Sequence, residues 1–273
     1  GDGDSTVTAR VLEEPINERR SVGDRSFELY VPSGIDLNQP TPVLLSHHGA
    51  TPGTGGAAHL QKGVAGTIPH AQAHGYIAVH PQSRIRGTEE SPVQSWESTA
   101  ESPDLLFIDE LLDALREEFT IDESRIFSTG ISSGGTFSYA LACWRADLIA
   151  AIGPVAGVDR GENCDSSRRV PAIIFYGTSD GSFESGSESA TSWAEANGCS
   201  AQTEEVFQNG DSTCNAWTGC TADVEMCIVD EGGHTWPGSA TGSIFEMAGQ
   251  GKTTLDLDAT DRMWAFFERV SSS

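Results

Sequence analysis

Apolar residues recur along this chain in two rhythms, one suited to strands and one to helices. Residues 26–31 (Ser-Phe-Glu-Leu-Tyr-Val) alternate apolar and polar and stop at Pro32, which predicts a half-buried strand. Val43-Leu44-Leu45, an unbroken apolar run ahead of His47-His48-Gly49, predicts a strand buried on both faces. A helix is expected from about His59, bending or stopping before Pro69, because proline lacks the amide hydrogen of a helix interior. Tyr76-Ile77-Ala78-Val79 predicts another short strand, ending at His80-Pro81.

The second half is more regular. Leu105, Ile108, Leu111, Leu112, Leu115 and Phe119 keep helical spacing, and Ser102-Pro103-Asp104 supplies a capping serine, a first-position proline and a first-turn acid. A strand over Arg125 to Thr129, a Gly-rich turn and a helix from about Gly134 to Trp144 follow. Further strands are predicted at 150–154, 172–176 and 224–229, and helices near 190–197 and 258–269. Strands alternating with helices predict an α/β fold, a mostly parallel sheet with helices on both faces. No repeat or long linker divides the chain, so residues 1–273 are expected to form one domain, with 1–24 an irregular segment.

A hydrophobic content of 37% supports a buried core, yet no apolar run approaches the ~20 residues needed to span a bilayer. The six cysteines (Cys143, Cys164, Cys199, Cys214, Cys220 and Cys227) lack the close pairs of a zinc site, and their even number suits three disulfides. Reduced core cysteines are the alternative. The disulfide reading implies a secreted protein, extracellular or periplasmic, whose leader has been removed, since Gly1-Asp2-Gly3-Asp4-Ser5-Thr6 has no signal-peptide character. Forty acidic residues stand against 16 basic, a net charge of −24. That balance disfavours nucleic acid and anionic membrane as partners and describes a solvated, self-repelling surface.

Gly130-Ile131-Ser132-Ser133-Gly134 matches G-x-S-x-G, entered by an apolar strand and left by a helix, which is the layout of a nucleophile elbow. Its flanking glycines allow a sharp turn, and the helix start offers amide hydrogens to a developing negative charge. A serine hydroxyl needs a base to take its proton. Of seven histidines only His234 follows Ser132, and nucleophile, acid, base is the chain order of such triads. Asp180, in Gly177-Thr178-Ser179-Asp180-Gly181 after the 172–176 strand, is the best-placed acid. Asp159 and Asp165 also lie between Ser132 and His234 but follow no such strand, and Asp230 is too near His234 in sequence. Oxyanion donors are expected from Ser133 and from Ala50 or Thr51, the choice between the last two left open. Trp96 and Trp236 are candidates to stack on substrate, against a plain packing role. His47 and His48 read as packing residues, since adjacent side chains on an extended strand point apart. No metal and no cofactor is expected.

Together these residues resemble the esterase group that includes polyhydroxybutyrate depolymerases and the feruloyl and acetylxylan esterases of carbohydrate esterase family 1. The resemblance runs from about Arg25 to Gly238. Its markers are His48-Gly49, the Gly130–Gly135 elbow, Pro154-Val155-Ala156-Gly157, Gly177-Thr178-Ser179-Asp180, Asn197-Gly198-Cys199 and the segment Gly232 to Gly238. It implies an α/β-hydrolase fold, a Ser132–Asp180–His234 triad and a secreted, cofactor-free monomer. It also implies cleavage of a small-molecule or polymeric ester, with plant-wall feruloyl esters first and polyesters second. The pairings it implies are Cys143–Cys164, Cys199–Cys220 and Cys214–Cys227. Ala50-Thr51 departs from the Gly- or Cys-containing turn of relatives. A peptidase on the same fold lacks room for its accessory domain, and a non-catalytic carbohydrate- or polymer-binding module is the rival of a different class.

Overall fold

The computed structural model describes residues 9–160, 164 and 169–272. Its centre is a ten-stranded sheet. The chain opens with β1 (Ile16–Val22) and β2 (Arg25–Val31), an antiparallel pair. It continues through β3 (Thr41–His47), the short β4 (Thr51–Pro52), α1 (Ala57–Val64), α2 (Thr67–His74) and β5 (Ile77–Pro81). Next come β6 (Ile85–Thr88), β7 (Ser91–Gln94), α3 (Pro103–Arg116), β8 (Ile121–Ile131) and α4 (Ser133–Trp144). After β9 (Ala151–Val155) and β10 (Ala172–Gly177) come α5 (Phe183–Ala196), β11 (Thr203–Asn209) and β12 (Ser212–Trp217). The chain then runs through β13 (Val224–Val229), α6 (Gly242–Met247) and α7 (Ala259–Ser271).

The strand order is β1-β2-β5-β3-β8-β9-β10-β13-β12-β11, and the six strands from β5 to β13 run parallel. Both faces of that block are covered. Phe127 stacks on Phe267 of α7 at 4.5 Å, whereas its neighbour Ser128 bonds Ser138 of α4 at 2.9 Å. Consecutive strand residues point to opposite faces, so α4 and α7 lie on opposite sides of the sheet. The edges β1 and β11 are largely exposed and charged.

The described part of the N-terminal segment, residues 9–24, contains a strand that its sequence does not suggest. Residues 1–24 were expected to be irregular, but β1 pairs along the whole of β2. Its Asn-Glu-Arg-Arg core has no apolar rhythm because an edge strand buries little. Strand 25–31 is buried at nearly every position, not half-buried, because β1 and β5 flank it. The helix break also moves. α1 ends at Val64, Gly66 takes φ +59°, and Pro69 sits inside the first turn of α2. Amides there lack an intrahelical acceptor, so proline forfeits no bond. α5 starts at Phe183, seven residues before the expected helix, because its first half is Ser/Gly-rich; a side chain at Gly186 would overlap the Tyr176 ring. The Ser102 cap is realised: its hydroxyl accepts from Asp104 N at 3.0 Å.

The three disulfides join Cys143 to Cys164, Cys199 to Cys220 and Cys214 to Cys227, the last pair bridging register partners on β12 and β13. Among the described residues no helix is long and apolar enough to cross a membrane.

Three histidines lie inside this fold. His47 and His80 are fully buried and His48 nearly so. Burial pushes His48 down to about 4 and His80 to about 3, and it lowers His47 well below 6.5. These rings stay neutral in the native state while the unfolded chain takes up protons below 6.5. Their contribution is therefore complete above that pH and is lost as pH falls toward the native values. Urea unfolding between pH 7.5 and 5 should show stability falling with acidity, by up to about 1.4 kcal/mol per pH unit per histidine. A flat profile would mean that these rings protonate freely in the folded state.

Candidate active site

Ser132 occupies the turn between β8 and α4 with φ 55° and ψ −117°, a conformation costly for a side chain bearing a Cβ. Ser132 N donates to Val155 O at 2.9 Å, and Ser132 O accepts from Thr136 N at 2.9 Å. The surrounding glycines are needed for space. A Cβ at Gly130 would stand 2.5 Å from His47 O, and one at Gly134 would overlap the same peptide. Their absence lets the end of β3 run directly alongside the elbow.

That passage delivers the next loop. A Cβ at Gly49 would stand 3.5 Å from the Cβ of Ser132, so the loop residue after it, Ala50, reaches the same cavity as the serine. The amide hydrogens of Ala50 and Ser133 have no partner among the described residues. Thr51 instead lies in the β4–β7 ladder opposite Gln94, with its hydroxyl bonded to Gly49 O at 3.0 Å. Of the two residues the sequence left open, Ala50 is the one in the wall of this cavity. His48 fixes this loop: Nδ1 donates to Gly49 O at 2.7 Å and Nε2 accepts from Ser83 N at 3.1 Å. That pattern requires the neutral ring its burial imposes.

His234 and Asp180 come from adjacent strand ends. Ser179 N donates to Gly232 O at 2.8 Å and Glu231 N to the Thr178 hydroxyl at 2.8 Å, stitching the loops after β10 and β13. Gly177 and Gly232 pass too closely for a side chain on Gly177. The result is a 2.7 Å hydrogen bond from His234 Nδ1 to Asp180 Oδ2. Asp180 Oδ1 accepts from both the amide and the hydroxyl of Ser182 at 2.8 Å. Burial pushes the Asp180 carboxyl upward, but its bonds from His234 and Ser182 outweigh this and hold it below its ordinary value. A carboxylate only accepts, so Nδ1 carries the proton and Nε2 offers its lone pair to the cavity. Ser132 and His234 line one cavity without a hydrogen bond between them; in resting enzymes of this chemistry that bond commonly tightens only with substrate bound. Of the other acids, Asp230 accepts from the Thr178 hydroxyl and Asp159 N bonds Ser189, while Asp165 lies outside the described residues.

The cavity, about 1050 Å³, runs along α4, and both Ser133 and Trp144 line it. Eleven residues of helix separate these two, about 16 Å. Ser95, Ser98, Thr99 and Ser182 are among its lining residues. Trp96 is also in the wall and holds both donor segments together. Its Nε1 donates to His48 O at 2.9 Å, its backbone N to Ser133 Oγ at 3.1 Å, and its ring stacks on Phe137 at 4.8 Å. The loop carrying it is anchored from below. Buried Asp104 bonds Arg25 at 2.7 Å, Arg86 at 3.0 Å and Glu97 N at 2.9 Å.

Trp236 is a correction. It is 1% exposed, does not line this cavity, and donates to the Thr260 hydroxyl at 3.2 Å. The loop that presents His234 turns this ring inward, so it packs the core instead of meeting substrate. Trp144, Thr136 and Arg160 were not singled out from the sequence, since their place in the wall depends on how α4 and the loop after β9 pack. Among the described residues no group of three His, Cys, Asp or Glu could hold a metal ion.

No family model matches the chain. It is 29% identical to feruloyl esterase D of Neurospora crassa over 280 residues, covering 99% of this chain and 89% of that protein. It is 24% identical to feruloyl esterase B of Piromyces equi over 230 residues, covering 74% of this chain but spanning only 41% of that relative. An acetyl xylan esterase from Aspergillus awamori superposes with a TM-score of 0.66 at 18% identity, over 86% of this chain and all of that one. The fold is the α/β-hydrolase fold.

Replacing Asp104 with alanine leaves Arg25, itself 6% exposed, without its buried partner. Chemical denaturation should register a loss of about 3–5 kcal/mol. A loss under about 1 kcal/mol would mean that solvent reaches Arg25.

Proposed function

We propose that this protein is a secreted carboxylic-ester hydrolase that works through an acyl-enzyme on esters of plant cell-wall polysaccharide. The observation that carries the reading is the Asp180–His234 bond opening onto the cavity that holds Ser132 and two unpartnered amides. Ser132 Oγ attacks the ester carbonyl while His234 Nε2 takes its proton, and the Asp180 carboxylate stabilises the imidazolium. The amides of Ala50 and Ser133 hold the oxyanion. His234 then returns the proton to the departing alcohol, leaving Ser132 acylated. Water, deprotonated by the same imidazole, releases the acid by the reverse sequence.

Ser95, Ser98, Thr99 and Ser182 among the lining residues offer hydrogen-bonding partners to a polar alcohol such as a sugar. Relatives named feruloyl esterase and the acetyl xylan esterase fold neighbour support the same substrate class. Three disulfides suit an oxidising compartment.

Wild type and Ser132→Ala should differ by at least about a thousandfold in kcat on p-nitrophenyl acetate and ethyl ferulate. Equal hydrolysis by both folded proteins would remove Ser132 from the mechanism, and no hydrolysis by either would favour a binding module. Release of hydroxybutyrate from polymer film in preference to ferulate or acetate would shift the substrate to polyesters. Trp96→Phe keeps a ring but deletes the donor to His48 O; it should lower kcat about tenfold with KM little changed. An unaltered kcat would show that Trp96 does not hold the oxyanion loop.

A further inference from the structure

Nearly every cation in this acidic chain is matched to a carboxylate. Among the described residues all lysines and arginines except Arg10, Arg160 and Arg169 form an ion pair. Arg160 differs from the other two in its place: it lines the Ser132 cavity. The carboxylate side chain in that lining, Glu97, is already engaged by Arg86 at 2.9 Å. Among the described residues of the lining, Arg160 is the charge without an ion-pair partner, and it is positive in a protein of net charge −24.

The backbone leading to Arg160 is fixed. Val158 N donates to the Thr136 hydroxyl on α4 at 3.2 Å, and Asp159 N donates to Ser189 Oγ on α5 at 3.0 Å. Cys164 is bonded to Cys143 near the far end of α4. Arg160 thus lies in sequence between two attachments to α4, at Thr136 and at Cys143, seven residues apart on that helix. A guanidinium presents paired donors that match a carboxylate in two parallel hydrogen bonds. Surplus carboxylates on the distant surface repel an anionic ligand only weakly, because the Debye length is about 8 Å at physiological ionic strength. A charge in the wall itself acts at contact.

The geometry points to Arg160 as the recognition site for a carboxylate carried by the ester substrate. This deepens the hydrolase reading and rests on it for the reaction. The carboxylate has two possible positions: on the acyl group, as in a dicarboxylic half-ester, or on the alcohol, as in a uronic acid unit of the polysaccharide.

Two matched pairs separate these. Monophenyl glutarate against phenyl valerate tests the acyl side, and acetylated methyl glucuronide against acetylated methyl glucoside tests the alcohol side. In Arg160→Gln the ratio of kcat/KM for the charged over the neutral member should fall at least tenfold in one pair, and that pair identifies the side. Arg160→Lys should keep an intermediate ratio. Calorimetric affinities of the same compounds for Ser132→Ala and for Ser132→Ala/Arg160→Gln read the preference without turnover. Hydrolysis whose charged-to-neutral ratios ignore Arg160 in both pairs overturns this inference and leaves the hydrolase reading standing. Absence of hydrolysis with a tenfold, Arg160-dependent preference in binding does the opposite. Loss of both signals overturns both.

Discussion

The close passage of the His47 peptide against the turn at Ser132 governs everything else in the site. Gly130 and Gly134 leave the space for it, and neither could carry a side chain without pushing β3 away. With β3 held there, Gly49 comes up against the serine, and Ala50 and Ser133, the first residue of α4, line the same cavity. The strained backbone of Ser132 is retained because its neighbours leave no alternative: Val155 O holds its amide and the His47 peptide blocks relaxation. Ser132 and the two amides proposed as oxyanion donors are thus parts of one packed unit, and precision in one enforces precision in the other.

A second layer keeps that unit oriented. His48 and Trp96 meet at a ring distance of 5.1 Å, each bonded to a different part of the loop pair that supplies the amides. Beneath them, Asp104 at the start of α3 gathers two arginines and the amide of Glu97. The same aspartate serves the helix, as an acid in its first turn, and the wall of the cavity. On the other side of the site the polar stitching between the loops after β10 and β13 holds a histidine preceded in sequence by two glycines, Gly232 and Gly233. Those glycines cannot fix its position, so hydrogen bonds from Ser179 and Glu231 do.

What the sequence made legible was the part written in neighbouring residues. The strand, Gly-x-Ser-x-Gly turn and helix around Ser132 form one local motif, and the position of His234 as the one histidine after it left no competitor. The apolar runs of β3, β9, β10 and β13 were readable because strands buried on both faces have no polar positions to obscure them. Edge strands have the reverse property. β1 and β11 bury little, so Asn17-Glu18-Arg19-Arg20 and Thr203-Glu204-Glu205 carry no rhythm to detect. Trp96 and Trp236 could not be told apart either, since one sits in a polar loop and the other two residues from His234, and only packing decides which one reaches the cavity wall. Ala50 and Thr51 are adjacent, and the β4–β7 ladder that claims Thr51 joins residues more than forty positions apart.

The sheet ends in those two edge strands, and its outer hydrogen-bonding groups are open on both sides. An open edge is a template on which another molecule's strand can add, and repeated addition makes fibrils. Here β11 presents Glu204 and Glu205, with a register shift beside Phe207 that bends the ladder, so two copies meeting at this edge would bring carboxylate against carboxylate. At the opposite edge the charged run of β1 is engaged with Glu28 and Glu118 of its own molecule. The residues that hid these strands from a hydropathy reading therefore also set charge against the end-to-end joining of two copies of the sheet.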